Sequence, residues 1–111
     1  MAADPSLKPH WFYILLALAD GDRHGLAIAR DVQSLSDGAV KLWPATLYGS
    51  LEELRARKWI EELPEHPEEE SERKRYYRIT RAGRAVLADE ADRLGRLARL
   101  ARSRVRTGDA R

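Results

Sequence analysis

Between Leu42 and Gly83 the chain sets down, in order, a Pro-started amphipathic stretch, two β-type runs around a charged tip, and a Thr-x-x-Gly helix start. It reads LWPATLYGSLEELRARKWIEEL at 42–63 and, after a polar stretch, RKRYYRITRAG at 73–83. Pro44 suits the first turn of a helix, where its missing N–H costs nothing. Leu47, Leu51 and Leu54 then share one face of that helix. Trp59 to Leu63 and Arg75 to Ile79 read as strands. Pro64 to Lys74 lies between them, with Glu65, Glu68, Glu69, Glu70 and Glu72 near the tip. The Thr80 hydroxyl can accept from the N–H of Ala82 or Gly83 and so start a last helix.

Upstream, Pro9 precedes a helix whose stripe is Trp11, Ile14, Leu15 and Leu18, ended by the turn Asp20-Gly21-Asp22. Arg23 or His24 leads into a second helix with Ile28, Val32 and Leu35 on one face, closed by Ser36-Asp37-Gly38. The last helix is expected to run to about Arg104, with residues 1–8 and 106–111 frayed. Along it Leu87, Ala91, Leu94, Ala98, Ala101 and Val105 recur at heptad spacing, and alternate alanines permit close helix–helix approach. Leu97 and Leu100 widen the apolar face beyond what a lone helix leaves in water. The expected fold class is mostly α with a small β-hairpin: a winged helix-turn-helix plus a long C-terminal dimerisation helix. Residues 1–80 form the winged region and 81–105 the dimerisation helix, in one structural unit.

With 111 residues there is material for one modest core. The absence of cysteine excludes disulfides, thiolate catalysis and the usual zinc fingers. His10, His24 and His66 have no ligand spacing, so no metal is expected. No apolar run reaches the length of a membrane span and MAADPSLKP is not a signal peptide, so the expected compartment is the cytoplasm. Without a nucleophile motif, a Gly-rich phosphate loop or paired carboxylates in an apolar setting, neither an enzyme nor a cofactor is expected. The net charge of +2 is unevenly spread. Residues 1–80 carry 11 basic and 14 acidic side chains, and residues 81–111 carry 9 and 4. The basic surplus therefore lies in the last helix.

Double-stranded DNA is the expected partner. In the third helix, Ala45, Gly49, Glu52, Glu53 and Ala56 point away from the leucines. Ala45 and Gly49 are small enough for the backbone to approach another surface, and a mid-helix Gly otherwise costs about 1 kcal/mol relative to Ala. Thr46, Tyr48 and Ser50 offer hydroxyls near the helix start, where N–H groups and the dipole favour a phosphate. Arg73, Lys74 and Arg75 stand at the hairpin return, within reach of a neighbouring phosphate or minor groove. The acidic tip opposes contact with a polyanion over a Debye length of about 8 Å. No Asn, Gln or Arg projects centrally from the third helix, so much of any sequence preference would be indirect. Trp11, Phe12 and Trp43 are core or interface anchors, or else line an aromatic ligand site.

HGLAI at 24–28, PATLYGSLEELRARKWI at 44–60 and RYYRITRAG at 75–83 resemble the PadR-type transcriptional regulators in their short form with a single C-terminal helix. The resemblance covers about residues 11 to 100. It implies a homodimer built from the C-terminal helix with the partner's N-terminal helix against it, a third helix in the major groove and a wing beside it. Carried over, Thr46 and Tyr48 match the helix-start pair that contacts DNA, and Arg73, Lys74 and Arg75 match the basic wing. The dimerisation set is Trp11, Leu87, Ala91, Leu94, Ala98 and Ala101. Gly49 stands where Pro is common in the family. Lys58 replaces the usual Gly after the third helix, which calls for a non-Gly residue in the left-handed region or a different cap. Some relatives bind planar aromatic effectors at the dimer interface, but the last helix here has no aromatic residue to stack on one.

The expected function is a sequence-specific DNA-binding transcriptional regulator, a homodimeric repressor on a near-palindromic operator. The alternatives are a winged-helix protein–protein module and a small-molecule-responsive sensor with an aromatic effector.

Overall fold

Pro9 and Pro44 each sit in the first turn of a helix, and Thr80 starts the last one. The structure, a computed structural model, describes residues 7–63 and 75–109. In chain order these form α1 (Pro9–Leu18), β1 (Arg23–His24), α2 (Gly25–Leu35), α3 (Pro44–Ala56), β2 (Ile60–Glu62), β3 (Tyr76–Ile79) and α4 (Arg81–Asp109). The winged helix-turn-helix with a long C-terminal helix matches the expected fold class. Its 29-residue α4, about 43 Å long, accounts for a longest dimension of 63 Å.

The core gathers Ile14, Leu15 and Leu18 of α1, Ile28 and Val32 of α2, the three leucines of α3, and Ile60, Tyr77 and Ile79 of the sheet. Burial pushes the Tyr77 phenol above its ordinary pKa, with Glu62 adding to the shift. The sheet is antiparallel in the order β1-β3-β2, with Arg23 opposite Tyr77 and Ile60 opposite Ile79. The expected hairpin is present, each strand a little shorter than anticipated, although the Leu63 N–H still donates to the Tyr76 carbonyl at 2.8 Å. The expected tip, Pro64 to Lys74, lies outside the described residues.

Three local features depart from expectation. Arg23 and His24 form a third strand on the open edge of β3 before α2 begins, too short to carry an alternation signal. The His24 Nδ1 then accepts from the Ala27 N–H at 3.3 Å and caps α2, which requires the neutral imidazole. Leu35 is 45% exposed, because the chain leaves the α2 axis at Ser36 and passes through Asp37 and Gly38, both with positive φ. Finally, α4 continues to Asp109, through residues expected to fray.

The end of α3 sets its direction relative to α4. The Lys58 N–H donates to the Arg55 carbonyl at 2.9 Å and the Trp59 N–H to the Leu54 carbonyl at 3.1 Å, a Schellman closure. Its left-handed position is filled by Lys58 at φ +67°, the non-Gly residue the sequence called for. The Thr80 hydroxyl donates to the Lys58 carbonyl at 2.7 Å and accepts from the Gly83 N–H at 3.0 Å. The Thr80 N–H donates to the Trp59 carbonyl at 3.0 Å. A left-handed lysine costs about 1–2 kcal/mol, whereas glycine loses about 0.5–1 kcal/mol more backbone freedom on folding. Lys58→Gly should therefore stabilise the protein by roughly 0.5–1 kcal/mol and raise Tm by about 2–5 °C in thermal melts. A lower Tm would mean that the lysine side chain supplies an offsetting contact.

Candidate nucleic-acid interface

One side of α3 is committed to the core through Leu47, Ser50, Leu51 and Leu54; the other presents Ala45, Thr46, Tyr48 and Gly49 to solvent. Ser50 must therefore be removed from the expected DNA-contacting set. It is 5% exposed, because one residue before Leu51 and three after Leu47 it falls on the buried face. A methyl group built on Gly49 would meet nothing within 4 Å, so packing within the protomer does not require glycine there. The glycine leaves the helix backbone open to an approaching surface.

Tyr48 is 45% exposed and links two segments of the sequence. A Cβ on Gly25 would lie 2.9 Å from the Tyr48 hydroxyl oxygen and 3.1 Å from its ring, so the ring rests against the first residue of α2. Glycine in HGLAI is thus the space into which the tyrosine of the third helix fits. The HGLAI motif marked this position, but the pairing across the turn emerges only in three dimensions.

Arg75 opens the return strand with its side chain 65% exposed and its Nε 3.8 Å from Glu62 Oε2, a loose pairing that leaves the guanidinium in solvent. Such an exposed pair contributes little. Arg73 and Lys74, and the acidic tip, lie outside the described residues. The cations at the far end of α3 are more occupied. Arg55 pairs with Glu62 at 3.3 Å and Glu52 at 3.6 Å, and the Arg57 guanidinium covers Trp11 and Trp59 at 4.9 and 5.3 Å from their ring centroids. Arg57 is thereby a lid on the core.

The expected dimerisation set divides. Trp11 is 4% exposed and packs edge-on against Trp59 at 6.4 Å, so its indole belongs to the core of its own chain and must be withdrawn from the set. It faces inward with Ile14, Leu15 and Leu18, and the same periodicity describes either burial. Leu87 is half-buried against the core. Beyond it Ala91, Leu94 and Ala101 are exposed and Ala98 partly so, and Leu97, Leu100 and Val105 are 47%, 45% and 62% exposed. The far part of α4 thus carries an apolar stripe that the described residues of its own chain leave exposed. Among the described residues no helix is long and apolar enough to cross a membrane, and there is no cluster of three or more His, Asp or Glu that could bind a metal.

Residues 14–89 match the model of the transcriptional regulator PadR-like family. Solved structures agree with the fold. A transcriptional regulator from Clostridium thermocellum is 24% identical with a TM-score of 0.69, covering 84% of this chain and 89% of its own. A PadR family transcription regulator from Clostridium difficile is 19% identical with a TM-score of 0.72, covering 84% of this chain and 94% of its own. BpsR of Bordetella bronchiseptica, whose DNA binding is regulated by 6-hydroxynicotinic acid, is 22% identical with a TM-score of 0.68, covering 88% of this chain and 67% of its own. No curated protein matches the sequence.

Proposed function

Because this chain belongs to the PadR-like family of transcriptional regulators and has its DNA-binding winged helix, we propose that it acts in the cytoplasm as a homodimeric repressor. Two copies pair through α4 and place two α3 helices in successive major grooves of a near-palindromic operator. The observation that carries this reading is the outward face of α3. Ala45, Thr46, Tyr48 and Gly49 lie together in solvent, and nothing among the described residues packs against a side chain at 49. The stripe on α4 supplies the second half of the argument, since exposed Leu94 and Val105 in heptad register, with exposed Leu97 and Leu100 beside them, call for a partner helix.

Two-fold pairing would set half-sites about one helical turn apart. The affinity would come largely from phosphates and fall steeply with salt. Base preference would depend on groove shape as much as on direct contacts, because the exposed face of α3 offers only Thr46 and Tyr48 as polar readers near its start.

The test is binding to a labelled duplex spanning the gene's own upstream region, followed by fluorescence anisotropy at two salt concentrations with random duplex as competitor. Tyr48→Ala and Arg75→Ala should each weaken binding about tenfold, as for loss of one positioned contact. Arg75 is mostly exposed, so its variant should melt close to the wild type, whereas Tyr48→Ala also removes a ring packed on Gly25 and should stay folded with a Tm lower by a few degrees. Full affinity in both variants would remove them from the interface. A small aromatic effector remains outside the proposal. The uncovered stripe of α4 is aliphatic, and the groove formed by Arg55, Lys58, Ile60, Glu61, Glu62 and Thr80 is mostly polar.

A further inference from the structure

Among the described residues Leu26, Leu35 and Trp43 are large apolar side chains that neither the core nor the α4 stripe accounts for, and Trp43 is the largest and most exposed of them. It is 63% exposed, whereas Trp11 is 4% exposed and Trp59 is packed partly buried against the core. It occupies the N-cap position of α3 in extended geometry, φ −75° and ψ 158°, and its side chain makes no capping hydrogen bond. Leu42 before it is buried at 8%, so the connection turns one apolar side chain in and the next out. The Lys41 ammonium lies 4.7 Å from the Trp43 ring centroid. The two therefore form one exposed unit, an aromatic plane with a positive charge on it.

The position of this unit selects its partner. It stands two residues before Ala45 and three before Thr46, at the end of α3 where the exposed small-residue face begins. α4 meets the opposite end of α3, at Trp59, about 20 Å away along the helix. The indole is thus remote from that joint and beside the nucleic-acid face, and its attached cation favours a polyanion over a second copy of this chain.

We propose that Trp43 and Lys41 form a second DNA-contacting element at the mouth of the groove that α3 enters. The inference rests on the DNA-binding reading above. The indole packs on deoxyribose and, where the sequence supplies one, on a thymine methyl, while its Nε1–H and the Lys41 ammonium face the adjoining phosphate. The apolar contact would add a preference for thymine at the edge of each half-site, a direct readout that α3 itself supplies sparingly.

The test follows one titration by two signals. The protein is mixed with a labelled duplex that it has selected from a random pool. Label anisotropy reports binding, and intrinsic tryptophan emission reports the indole. Wild-type emission should change together with anisotropy, and the change should vanish in Trp43→Phe while binding persists. Trp43→Ala should bind about tenfold more weakly, the scale of one lost base-edge contact. Lys41→Gln should lower the slope of log affinity against log salt by about one per protomer. Binding by anisotropy with unchanged emission, or full affinity in Trp43→Ala, would overturn this inference and leave the DNA-binding reading standing. No anisotropy change for wild type with any selected duplex would overturn both.

Discussion

Gly83→Ala is expected to destabilise the protein by about 4 kcal/mol and to lower Tm by roughly 15–25 °C. A Cβ at position 83 would lie 2.1 Å from the Trp59 carbonyl oxygen, 3.0 Å from its carbonyl carbon and 2.9 Å from Ile79 Cγ1. Two of those atoms are backbone, so no rotamer change relieves the clash. The first turn of α4 would have to lift away from the end of α3. That movement strains the bonds holding the two together, from the Thr80 hydroxyl to the Lys58 carbonyl and from the Thr80 N–H to the Trp59 carbonyl. Overpacking of this kind costs about 1–3 kcal/mol, and each hydrogen bond lost adds roughly 1 kcal/mol. Urea and thermal unfolding followed by circular dichroism would measure the loss. A change below about 1 kcal/mol would mean that α4 does not approach α3 as closely as described. With Lys58→Gly, the joint should show effects of opposite sign at positions a few ångströms apart.

The second large effect is expected from Leu94→Glu. Leu94 is 39% exposed in the protomer, so a carboxylate there costs the isolated chain little. In a dimer seam the same substitution would bury two charges related by symmetry, at several kcal/mol each. The variant should sediment as a folded monomer at concentrations where the wild type is dimeric. Without the second reading head, DNA affinity should fall on the order of a thousandfold, the usual gain from linking two weak sites. Apparent thermal stability should fall too, and the wild-type Tm should rise with protein concentration. A Leu94→Glu protein that remains dimeric would place the seam on another surface.

Element starts were the most legible part of this chain. Pro9, Pro44 and Thr80 act locally, so position in the sequence is enough to place them. The left-handed Lys58 is one of the two outcomes that the family resemblance implied when it set a lysine where glycine is usual, the other being a different cap. What stayed hidden depended on distant packing. β1 is only two residues and exists because β3 has an open edge for it. Ser50 looked like a contact residue because polarity at a helix start suggests solvent, yet the core against α3 is wider than its three leucines. Trp11 fits a dimer seam and a protomer core equally well by periodicity, and only the positions of Trp59 and Arg57 decide it. Trp43 reads in the sequence as a core or interface anchor or part of an aromatic ligand site, and only the fold shows the backbone turning it outward while Leu42 turns in. Within α3 the outward positions of Ala45 and Gly49 followed from helical phase, and Thr46 and Tyr48 were marked by their hydroxyls near the helix start, but the role of Gly25 beneath Tyr48 required the fold.

The joint between Trp59 and Gly83 also has a mechanical meaning. Because no side chain separates the carbonyl of Trp59 from the backbone of Gly83, the end of α3 and the start of α4 meet with almost no slack. The pair has the geometry of a bell crank, with one arm in the direction of the proposed reading surface and a much longer arm carrying the exposed stripe. A torque applied to the long arm would meet backbone at this joint, not a rotatable side chain. In a two-copy assembly, a change in the angle at which the two long arms cross would alter the spacing of the reading surfaces without a ligand touching either of them.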